Sequence, residues 1–126
     1  MTTTSRRFVI LRHETPPGYP KPSHYDLMIQ WGEILRTWTL ADWPEIGTEV
    51  KAVPDADHRL AYLDYEGEVS QGRGFVERED EGICEWLAES PERIHLRLSG
   101  RVLQGDLTLV VYSDSGSESD STSGST

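Results

Sequence analysis

The chain has 126 residues, enough for one domain with its own core and too few for a second catalytic domain. The lone Cys84 excludes an internal disulfide. No apolar run approaches the ~20 residues of a membrane span and no signal peptide is visible, so a cytoplasmic monomer is expected. With 22 acidic against 12 basic residues, a net charge of −10, the surface repels phosphate backbones, and any nucleic-acid ligand must be held by a local basic pocket.

Residues 1–6 read as a flexible N-terminus leading into a first strand, Phe8 to Arg12, rich in apolar and β-branched residues. Prolines and Gly18 between residues 16 and 22 can continue neither a strand nor a helix, so this stretch is a loop. A second strand follows, His24 to Trp31. Gly32-Glu33 is turn-like, and Ile34 to Leu40 resumes a strand, making a hairpin of residues 25 to 40. Residues 41 to 57 are mostly loop with one short strand at Glu49 to Val53, and His58 to Tyr62 is a single helical turn or irregular. Turn glycines punctuate residues 66 to 77, and Ile83 to Leu87 resembles one further strand. Ile94, Leu96 and Leu98 then alternate with His95 and Arg97 before Ser99-Gly100 turns the chain toward the closing run Leu107 to Tyr112. Many short, closely spaced strands favour an all-β fold over an α/β one: a small closed antiparallel β-barrel over residues 7–112 with short helical additions. Residues 113–126 hold no apolar side chain and read as a disordered Ser/Asp/Gly tail.

The chemistry gathers at the ends of the first loop. In a strand, alternate side chains share a face, so His24 and Asp26 point the same way, opposite Tyr25, Leu27, Ile29 and Trp31. Residues i and i+2 lie roughly 7 Å apart, a span that two inward-leaning ligands close around one ion. His13, ending the first strand, supplies a third ligand if the two strands pair. Two imidazoles and a carboxylate suit Mn, Fe, Co or Zn and leave coordination positions open for chemistry. The same His24-x-Asp26 pair with a distant histidine such as His95 also spells an Fe(II)-oxygenase triad, but His95 alternates with core residues and should face away from them.

These residues resemble the 3′-phosphoesterase domain of the bacterial DNA repair enzyme DNA ligase D, from about Arg7 to Val111. Four ordered pieces carry the resemblance. They are the strand ending in His13 with its loop and His24-Tyr25-Asp26; Leu35-Arg-Thr-Trp38; Asp57-His58 with Tyr62 and Asp64-Tyr65-Glu66-Gly67; and Leu98-Ser-Gly100-Arg-Val-Leu-Gln-Gly105. The resemblance implies a β-barrel that removes nucleotides or phosphate from the 3′ ends of broken DNA or of an RNA–DNA primer. The implied cofactor is a divalent ion, typically Mn²⁺, with Zn²⁺ or Co²⁺ also suited, and the implied protein partner is a repair ligase or polymerase. Matched position by position, His13, His24 and Asp26 correspond to metal ligands, and His58 and Tyr62 to residues near the scissile phosphate. The departures are equally specific. Leu11 stands where the family has Gln, Met28 where it has Arg, and Ala56 where it has Glu, while the loop after His13 is long and carries Lys21. Arg36, Lys51 and Arg59, with Arg73, are the cations expected to substitute at the phosphate. The alternative reading is a barrel that keeps its metal site but has lost catalysis, serving as a binding module for a nucleic-acid end or a protein.

Overall fold

A computed structural model describes residues 4–112; the expected tail, residues 113–126, lies outside the described residues. Eight strands form one sheet: β1 (Thr4–Glu14), β2 (His24–Trp31), β3 (Ile34–Leu40), β4 (Glu49–Arg59), β5 (Gly67–Glu68), β6 (Phe75–Glu89), β7 (Arg93–Gly100) and β8 (Gln104–Val111). A single 3₁₀ turn, Leu60–Leu63, follows β4. The order is β1-β2-β3-β4-β8-β7-β6, and β6 pairs back onto β1, closing a seven-strand barrel with the short β5 added to β6. Closure removes the sheet edges that would otherwise invite association. All pairings are antiparallel except one, the parallel seam between Glu49–Ala52 of β4 and Thr108–Val111 of β8.

Alternation sorts the side chains into two apolar clusters. Phe8, Ile10, Leu27, Ile29, Trp38, Leu40, Ile94, Leu96, Leu98, Leu107 and Leu109 fill the barrel interior. Val9, Leu11, Met28 and Leu35 face outward from β1, β2 and β3, yet they are buried as well, because Leu63, Val69 and Val76 cover them. The segment from the 3₁₀ turn to β6 is thus a second apolar layer on one outer face. Leu27 and Ile29 are buried as their alternation requires, whereas Tyr25 and Trp31, at the two ends of β2, are half-buried.

Three strands clearly exceed their expected lengths. β1 starts at Thr4, so residues 4–6 of the stretch expected to be flexible are a paired strand, held across from Trp86, Glu85 and Cys84 of β6, while residues 1–3 lie outside the described residues. β4 runs through to Arg59, and β6 is continuous across the acidic run Glu77 to Glu81. That run breaks apolar alternation, but one of its acids is structural. Asp80 is fully buried, and its carboxylate accepts hydrogen bonds from the backbone N–H groups of Glu81 (2.8 Å), Val102 (3.0 Å) and Leu103 (2.9 Å). It pins the β7–β8 turn to β6, close enough to Gly100 that no larger side chain fits there.

Candidate metal centre

The β1–β2 register sets His13 directly across from His24, and Leu11 across from Asp26. The three polar side chains therefore crowd the loop end of the outer face, where the second apolar cluster stops. Ligand atoms of His13, His24 and Asp26 all lie within 4.8 Å of one another. His24 Nε2 is 3.2 Å from Asp26 Oδ1, and His13 Nδ1 is 3.6 Å from Oδ2. His24 and Asp26 are buried and His13 is half-buried.

Both imidazoles are oriented from behind by backbone. His24 Nδ1–H donates to the Pro22 carbonyl (2.8 Å) and His13 Nε2–H to the Arg73 carbonyl (2.8 Å). Each ring is thereby left with its other nitrogen turned on the carboxylate, the tautomer that a ligating histidine adopts when its far nitrogen is held by a carbonyl. Whenever His24 is neutral, its Nε2 lone pair faces Asp26 Oδ1, a buried oxygen with no other hydrogen-bond donor among the described residues. Two electron-rich atoms facing each other out of water require a proton or a cation between them. This donor set fits a divalent ion of the Mn, Fe, Co or Zn type.

The electrostatics follow the same geometry. Burial works to raise the Asp26 carboxyl, but in the metal-free protein a proton on His13 or His24 supplies the hydrogen bond and charge that outweigh it and hold it at about 2. The Asp26 carboxylate in turn raises His13 above its ordinary value, despite partial burial. The contact that fixes His13 depends on Gly74, whose φ of +96° and lack of a side chain let the loop press against β1. A Cβ at this glycine would run into the Glu14 carbonyl.

The triad forms one wall of a cavity of about 480 Å³, also lined by Lys21, Ala56, His58, Arg59, Tyr62 and Arg73. His58 and Tyr62, carried by the end of β4 and the 3₁₀ turn, meet edge to face with centroids 5.4 Å apart. His58 Nδ1–H is shared by the Ala56 carbonyl (2.9 Å) and Thr37 Oγ1 (3.0 Å), which leaves Nε2 free to exchange a proton. Arg59 lines the cavity with no side-chain ion pair among the described residues.

Two expected phosphate ligands lie elsewhere. Arg36, expected near the metal ligands, shares the strand face of Trp38 and Leu40, so it turns to the far end of the barrel. There it pairs with Glu89 (3.2 Å) and stacks on Trp31, Trp38 and Trp86. Lys51 sits over the Tyr112 ring, in a neighbouring pocket that shares Lys21 and His24 with the first. His95, the distant histidine of the oxygenase alternative, pairs with Asp106 on β8 (3.0 Å) and does not line the cavity. The residues that the sequence did not flag include Pro22, whose role is a backbone carbonyl, Gly74, and two that line the cavity, Tyr19 from the loop and Asp55 from β4. Only the Gly72-Arg-Gly74 spacing offered a signal for any of them.

A closed β-barrel carrying a His₂Asp cluster on the outside of its first hairpin is a scaffold with a candidate metal centre. Residues 13–111 match the DNA ligase D 3′-phosphoesterase domain, and the chain belongs to that family. At family level this carries a 3′-phosphoesterase-type function in DNA repair. A search of curated proteins finds no match. Among the described residues no helix is long and apolar enough to cross a membrane.

Proposed function

We propose that the chain is a divalent-metal-dependent phosphoesterase acting on 3′ ends of nucleic acid, with Mn²⁺ its ion and His13, His24 and Asp26 the ligands. The observation that carries the reading is the buried, donorless Asp26 Oδ1 facing the lone pair of a histidine already committed at its other nitrogen. When bound, the ion supplies charge neutralisation at the phosphate and lowers the pKa of water. The protein side chains do the rest. Arg59 draws the phosphate into a molecule that otherwise repels it. His58, with Nδ1–H held by Ala56 and Thr37, gives or takes a proton through Nε2, and Tyr62 braces its ring.

The test incubates the protein with Mn²⁺ and a primer–template ending in a 3′-phosphate or a 3′-ribonucleotide. Removal of either group, abolished by chelation and by His24→Ala or Asp26→Ala, is the expected result. Absence of metal-dependent product on both ends would reject the reading. One observation favours the binding-module alternative: Leu11 and Met28, where the family carries polar groups, are sealed under Leu63 and Val69. Metal-dependent retention of 3′ ends without turnover is its signature.

A further inference from the structure

The strand positions beside the triad on its own face, Leu11 and Met28, carry no cation. Met28 is 1 % exposed and Leu11 is fully buried, so no guanidinium can reach a phosphate from β2. The loop between β1 and β2 occupies the space above. It is tied down at both ends: Thr15 N–H donates to Ser23 Oγ (3.0 Å), Tyr19 N–H donates to the Pro16 carbonyl (3.1 Å), and the Pro22 carbonyl holds His24. Lys21, next to Pro22, is therefore placed rather than merely tethered. Its ammonium donates to Thr39 Oγ1 (3.0 Å) and lies 3.7 Å from Asp55 Oδ2, with the side chain 42 % exposed, on the wall of the triad's cavity.

We infer that Lys21 and Asp55 form a charge discriminator that selects a terminal phosphate monoester over a phosphodiester at the candidate metal site. The inference rests on the metal-dependent phosphoesterase reading. To contact a substrate phosphate, Lys21 must leave Asp55, a competitor carrying one negative charge. A monoester carries about −1.5 to −2 at neutral pH and outcompetes a single carboxylate. A diester, with a single charge, exchanges one anion for another and gains little. Lysine suits this task because its ammonium is a compact point charge on a flexible stem, free to swing between two anions, where arginine's planar fork favours one fixed bidentate geometry. Asp55 also keeps the mouth of the cavity repulsive to weakly charged ligands until a more highly charged end arrives.

The test measures binding, so it does not depend on turnover. Duplexes ending in a 3′-phosphonomethyl group, whose C–P bond is not hydrolysed, are compared by fluorescence anisotropy in Mn²⁺ with the same duplexes bearing the monomethyl ester. The intact protein is expected to prefer the dianionic end by about ten-fold or more. Lys21→Gln should reduce that preference to less than about three-fold, Lys21→Arg should keep most of it, and Asp55→Asn should tighten binding of the methyl ester selectively. An undiminished preference in Lys21→Gln, an equal loss for both ends, or no preference in the intact protein would overturn the inference. If a natural 3′-phosphate is bound with this preference yet never removed, the phosphoesterase reading fails and the discriminator stands.

Discussion

Asp26 and His13 shape the pH behaviour of the whole molecule because their shifts have opposite signs. Asp26 titrates at about 2 in the fold against an ordinary value of 3.8, so its contribution is present above about pH 4 and lost as pH falls toward 2. That contribution is about 2 kcal/mol. His13 titrates above 6.5, so its contribution without metal is full below that value and lost as pH rises through the raised one. Metal-free protein should be most stable between about pH 4 and 6.5. A divalent ion must displace the His13 proton, so metal stabilisation should grow as pH rises through the raised His13 value. Melting curves from pH 4 to 9 with and without Mn²⁺ should therefore diverge with rising pH, and parallel curves would reject His13 as a ligand. Gly74 is the other residue on which the site turns. Gly74→Ala should cost about 1–3 kcal/mol from the strained backbone. It should also weaken Mn²⁺ binding roughly ten-fold by moving the Arg73 carbonyl off His13, read by metal titration of the folded variant.

At the level of elements, the first hairpin was largely legible and its surroundings were not. His13, His24 and Asp26 could be read as a set because strand alternation and one pairing fix their face. Arg36 was open to the same test, since it shares a face with Trp38 and Leu40, and that face is the barrel interior. The full length of β6 was hidden because solvent-facing acids mask its alternation, and nothing in Asp80 itself marks it as the one acid turned inward. The backbone carbonyls of Pro22 and Arg73 leave no trace in side-chain pattern at all. The second apolar layer carries its own consequence. Restoring the family residue with Met28→Arg would thrust a guanidinium under Leu63, Val69 and Val76 with no anion among them. It should destabilise the fold by roughly 3–5 kcal/mol in urea denaturation, not rescue the site. A neutral outcome would mean that this layer lifts readily from the barrel.

For the molecule as a whole, closure is a long-range event and the metal ligands are a local one. β1 meets β6 with Thr4 across from Trp86 and Glu14 across from Phe75, and the parallel seam joins Glu49 to Thr108. Such distant pairings must form against loop-closure entropy, so folding in milliseconds to seconds is expected. His13 and His24, by contrast, face each other across a single hairpin. An ion held there rewards the hairpin before the barrel has closed. In stopped-flow refolding, Mn²⁺ should therefore steepen neither limb of the chevron but raise the folding limb, with a smaller drop in the unfolding limb. Should the ion act on the unfolding limb alone, the hairpin is not part of the folding nucleus, and its ligands meet only when the last strands close.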